Sequence, residues 1–172
     1  MGRAQWDIFT AHCGRVIRML TKTSINAIQA LMYIAQRPGE APVSPLEIAK
    51  RLGASPTYLG KIHTLLAKAD LLKTHRGARG GVTLGRSPAE ITLLDIAEAC
   101  QGKVLGDYCA PHDNLSEVCA FHEAMYRLQE AILSVLSGWT LEMLLARPGP
   151  AKRLMGKVNC FMLCTLPEKR RR

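Results

Sequence analysis

Most of the chain repeats apolar residues at helical spacing, and a single stretch reads as strand. Ile25, Ile28, Leu31, Met32 and Ala35 form one stripe, with Thr23 or Ser24 as cap, and predict a helix to about Gln36. Arg37-Pro38-Gly39 stops it. Ser44-Pro45-Leu46-Glu47 opens a second, short helix. Ser44 can cap it, Pro45 suits the first helical position, and Glu47 stands where a capping box needs an acid. Gly53 ends that helix, and Ser55-Pro56 starts a third. Leu59, Ile62, Leu65, Leu66 and Ala69 give the third helix its buried face, leaving Tyr58, Lys61 and His63 largely off it. Leu71 to Thr74 is strand-like, Arg76 to Gly81 is a glycine-rich turn, and Val82-Thr83-Leu84 is the return strand. Thr92-Leu93-Leu94-Asp95 opens a fourth helix that Gly102 closes. Ser116-Glu117 starts the longest helix, to about Ser137, with a stripe of Val118, Phe121, Met125, Leu128, Ile132, Val135 and Leu136. Thr140 starts a short last helix, Leu141 to Ala146.

Two short helices joined by a turn of three or four residues are a helix-turn-helix, and the hairpin after them is a wing. The expected fold is mainly α with a small β-wing: a winged helix-turn-helix plus a long C-terminal dimerisation helix. The expected divisions are an N-terminal extension without periodicity, taken as disordered (1–18), the winged domain (19–102), a cysteine-containing loop (103–115), the dimerisation and terminal helices (116–146), and a weakly structured basic tail (147–172). A small winged core cannot cover a long apolar stripe on its own. The economical solution is a second copy of the chain, in keeping with the dimeric habit of helix-turn-helix proteins on paired half-sites.

Charge sharpens this picture because it is unevenly placed. The chain carries +9 overall, but residues 51–86 carry +6 and residues 146–172 carry +7, whereas residues 87–145 carry −7. Basicity therefore gathers on the helix-turn-helix, the wing and the tail, which is the electrostatic footprint of a protein that binds double-stranded DNA. The N-terminal residues of the third helix face base edges in such a domain. Ser55 and Thr57 can bond to phosphate or bases, Tyr58 to phosphate, and Lys61 to phosphate or guanine. Arg76 and Arg79 at the wing tip suit a narrow minor groove or flanking phosphates. No apolar run approaches a membrane span, and no export signal opens the chain, so a cytoplasmic location is expected. No nucleophile–base pair, phosphate loop or catalytic acid pair argues for an enzyme.

Six cysteines in such a chain point to metal, redox or buried thiols rather than structural disulfides. Cys109-Ala110-Pro111-His112 and Cys119-Ala120-Phe121-His122 are two Cys-x-x-His pairs, with Cys100 upstream on the apolar side of a helix. Thiolate and imidazole suit an iron–sulfur cluster or zinc. A reversible Cys109–Cys119 disulfide or a reactive thiol is the alternative use, and Cys100 also reads as a buried thiol. Cys160 and Cys164 in the tail are either a second redox pair or part of an apolar patch.

Leu20-Thr21-Lys22, Ser55-Pro56-Thr57-Tyr58-Leu59, Arg76 to Leu84 and Ile91-Thr92-Leu93-Leu94-Asp95-Ile96 together resemble the IscR/NsrR/CymR family of winged-helix transcriptional regulators. The resemblance implies a homodimer on a palindromic operator, usually as a repressor. It also implies, for several members, an iron–sulfur cluster in the cysteine loop that answers to iron, nitric oxide or redox state; others carry none. Carried onto this chain, it makes Cys109 the first loop cysteine, Cys119 the last, and His122 the histidine some members use. The middle cysteine is absent; His112 and Asp113 are its only substitutes in the segment, with Cys100 as another candidate ligand. Ile25 stands near where some relatives place a first-helix ligand, and Gly60 where some place a base-reading acid.

Overall fold

Thr21 begins the first helix, α1 (Lys22–Ala35), two residues ahead of the caps expected from the sequence. Its hydroxyl accepts from the Ser24 amide at 3.2 Å, and Ser24 is then free to donate to the Gln101 side chain at 2.8 Å. The computed structural model describes residues 20–37, 41–77, 80–104, 114–155, 157–158 and 160–162. The expected disorder of residues 1–18 falls outside them. Every residue of α1 from Ala27 to Ile34 is buried, so α1 is the central helix of the domain rather than a one-faced surface helix.

The helix-turn-helix follows as α2 (Pro45–Leu52) and α3 (Pro56–Lys68). Gly53, in the left-handed region at φ 62°, turns the chain as the sequence indicates. Ser55 caps α3 by accepting from the Tyr58 amide at 3.2 Å. The capping box expected at Ser44 and Glu47 does not form, because Glu47 has a stronger use. Its carboxylate accepts from the Tyr33 hydroxyl at 2.7 Å and pairs with Arg37, tying α2 to the end of α1.

The wing is β1 (Leu72–His75) paired antiparallel with β2 (Gly81–Leu84), in register Leu72 with Leu84 and His75 with Gly81. Val43 joins its far edge through two 2.9 Å backbone bonds with Val82. That approach needs Gly81: a Cβ there would lie 2.5 Å from the Val43 carbonyl oxygen. Leu72, Val82 and the half-buried Leu84 face the core, while Lys73, His75 and Thr83 face outward.

After a 3-10 turn at Pro88–Glu90 comes α4 (Leu93–Gln101), capped as expected by a Thr92–Asp95 box. The long helix α5 (Ala120–Gly138) starts four residues later than the sequence suggests, with Cys119 at its N-cap. Ser116 is diverted upstream, where its amide and hydroxyl both donate to the Asn114 side chain at 3.1 and 2.7 Å. α6 (Leu141–Ala146), capped by Thr140, returns to the core through the fully buried Leu141.

The tail is not simply loose. A 3-10 turn at Lys152–Leu154 leads to Phe161, whose carbonyl accepts from the buried Gln29 amide of α1 at 2.5 Å. Met162 packs against the core. The buried Gln29 amide needs an acceptor, and the Phe161 carbonyl supplies one, which ties this part of the tail to α1.

Candidate nucleic-acid interface and cysteine region

At the head of α3, Ser55, Thr57 and Lys61 are all exposed, on the edge opposite the buried Leu59, Ile62 and Leu66. Gly60 is exposed between them, leaving the edge free of bulk. Tyr58 is half-buried, and its hydroxyl shares a 3.2 Å hydrogen bond with Thr23 at the start of α1. Its position on α3 thus fastens the reading helix to the central helix. Arg76 is exposed at the wing; Arg79 lies outside the described residues.

His63 corrects a sequence expectation. Instead of standing off the apolar face, it is only 5% exposed. Its Nε2 has no hydrogen-bond partner among the described residues, and burial lowers its pKa, favouring the neutral ring. Position 63 is one residue past Ile62, and α4 and β1 both pack on α3, so the buried sector is wider than a one-sided stripe.

Of the cysteine region, Cys109 and His112 lie outside the described residues. Cys119 is exposed at the N-cap of α5, and the half-buried His122 is one turn into the helix. Cys100 packs against the core from α4, and burial pushes its thiol up to about 11, which keeps it protonated near neutral pH. Among the described residues no three His, Cys, Asp or Glu side chains converge as a metal site. The donor types at Cys119 and His122 fit iron–sulfur or zinc chemistry, but two donors do not complete either.

Part of the apolar stripe of α5 is bare. Phe121, Leu128 and Val135 are 61%, 51% and 56% exposed, at intervals of seven residues that keep them nearly in line. α5 packs chiefly on α4, and only Leu136 of its residues is buried.

An exposed helix edge beside an arginine-bearing wing, on a three-helix core, defines a winged-helix DNA-binding protein. The profile of the Rrf2 family, described as an iron-dependent transcriptional regulator, matches residues 20–147, and the chain belongs to that family. It is therefore a transcriptional regulator and not an enzyme. It is 34% identical over 134 residues to protein aau3 of Rhizobium meliloti, covering 75% of this chain and 86% of that one. It is 32% identical over 130 residues to the transcriptional regulator NsrR of Geobacillus kaustophilus, covering 73% and 88%. Among solved structures it resembles CymR, the global cysteine regulator of B. subtilis, with a TM-score of 0.61 at 30% identity, covering 74% of this chain and 95% of that one. Among the described residues no helix is long and apolar enough to cross a membrane.

Proposed function

We propose that the chain is a cytoplasmic repressor that binds a palindromic operator as a homodimer, with its DNA affinity set by a cluster or by thiol chemistry at the cysteine loop. The observation that carries this reading is the pairing of two surfaces on one chain. Ser55, Thr57 and Lys61 form a polar reading edge on the helix that precedes the wing with its exposed Arg76, and α5 leaves Phe121, Leu128 and Val135 uncovered. A twofold pairing along α5 presents two reading edges to two half-sites. Tyr58 positions the edge through its hydrogen bond to Thr23.

Cys109, Cys119 and His122 would hold the cluster, with His112 or Cys100 completing it, and zinc is the alternative occupant. When bound, an iron–sulfur cluster supplies a redox- and nitric-oxide-sensitive group. The chain's part is to tie the loop to the start of α5, so that loading the loop shifts the spacing of the two reading edges. A cluster-free regulator is the second reading. It is favoured by the missing middle cysteine and by the core-facing, protonated Cys100.

The test has two arms. Fluorescence anisotropy with duplex DNA across a salt series should show affinity falling steeply with salt, and Arg76→Ala should reduce the slope by about 1. An absence of salt-dependent binding would remove the DNA reading and leave a zinc-structured interaction module. Purification without oxygen should give a coloured, iron-containing protein. Colourless, iron-free protein whose Cys109→Ser/Cys119→Ser variant keeps full affinity under all redox conditions would establish the cluster-free reading.

A further inference from the structure

A groove of about 480 Å³ runs between β1–β2 and the C-terminal end of α1. Its floor is apolar, with Ile34 and Leu84; its rim carries Arg37, Lys73, His75 and Arg86. No Asp or Glu is among the described residues that line it.

The rim charges are unequally matched. Arg37 is neutralised by Glu47. Lys73 is exposed and has no partner among the described residues. Arg86 is held only loosely, with Asp95 at 3.7 Å and the Glu90 carbonyl at 3.4 Å, and its buried Nε has no hydrogen-bond partner among the described residues. A buried guanidinium N–H without an acceptor is costly, and a nearby unpaired ammonium raises the local positive potential. His75 and Thr83, joined at 2.9 Å, supply one further polar edge.

We propose that this groove binds a small organic anion, a carboxylate or phosphate monoester with a short apolar body. The oxyanion pairs with the exposed part of the Arg86 guanidinium and with Lys73; the apolar body lies over Ile34 and Leu84. The size suits such a ligand, and charge-assisted hydrogen bonds to a guanidinium are the strong kind. Because the walls belong to the wing on one side and α1 on the other, an occupant fixes the wing against the central helix. Its effect on DNA affinity rests on the function proposed above; binding itself does not.

Binding is therefore measured first without DNA, on the full chain, by methyl NMR. Hexanoate and phenyl phosphate are the probes, one for each head group, and hexylammonium is the control of opposite charge. The expected result is saturable shifts at the Ile34 and Leu84 methyls with at least one anion and none with hexylammonium. Lys73→Met should weaken binding about tenfold, the value of one charge-assisted contact. Arg86→Gln should weaken it at least as much; Lys73, being exposed, keeps the test valid if the Arg86 variant misfolds. Absence of saturation at tens of millimolar, equal shifts with hexylammonium, or unchanged affinity in Lys73→Met would overturn the proposal. So would Lys73→Met lowering duplex affinity and its salt slope in a protein that ignores both anions, since the groove would then be a track for DNA phosphate. Failure of all DNA binding with anion binding intact would instead sink only the regulatory reading.

Discussion

Replacing Leu128 probes the proposed dimer face without touching the core of the winged domain. The side chain is 51% exposed on α5. Full burial of a leucine side chain is worth about 1.5–3 kcal/mol, so the exposed half leaves roughly 1 kcal/mol to be gained per copy on pairing. A symmetric pair doubles this to about 2 kcal/mol, so Leu128→Ala should raise the dimer dissociation constant by about 30-fold. Leu128→Glu adds several kcal/mol for each carboxylate desolvated and should leave a monomer at micromolar concentration. Neither change should unfold the subunit, because Leu, Ala and Glu differ little in helix propensity and the site is half in water. Sedimentation velocity over a concentration series, with far-ultraviolet circular dichroism as the check on folding, reads both effects. A folded Leu128→Glu protein that dimerises as tightly as the wild type would refute the reasoning, since α5 could not then be the face that pairs.

Three further outcomes follow from the core. His63 is buried with its pKa lowered from 6.5, so below about pH 6.5 the unfolded chain binds the proton better than the native one. Stability should be full above that value and fall as pH drops through the lowered native pKa. Denaturant midpoints on either side should show it, and His63→Leu should flatten the dependence; a wild-type midpoint that does not fall in acid would contradict the burial. Gly81→Ala places a methyl 2.5 Å from the Val43 carbonyl oxygen and should cost about 1–3 kcal/mol in urea unfolding, where an unaltered midpoint would mean that the wing edge yields freely. Tyr58→Phe loses the Thr23 bond and should cost about 1 kcal/mol of stability; a duplex-binding salt slope that falls with it would place the hydroxyl on phosphate instead.

Much of this molecule was legible because local chemistry and global fold agree. The capping roles of Gly53, Ser55-Pro56, the Thr92–Asp95 box and Thr140 each involve only neighbours within a few residues, so spacing alone locates the turns and caps. The exposed positions of Ser55, Thr57 and Lys61 follow from the same periodicity that buries Leu59 and Ile62. Where a polar side chain had a choice of partner, sequence reasoning chose the near one and the fold chose a distant one. Glu47 left its expected cap for Tyr33 and Arg37, and Ser24 left its own helix start for Gln101, 77 residues away.

The amino-acid sequence by itself determined the order of helices and hairpin, the basic reading head and the apolar face of the long helix, because each is written in short-range spacing and charge. Only the tertiary structure decided that His63 is enclosed, that Phe161 closes over Gln29, that Val43 borders the wing and that Arg86 and Lys73 share a groove. Those four depend on segments far apart in the chain meeting in space. No local pattern encodes such meetings; they are set by which surfaces remain to be buried once the helices have formed.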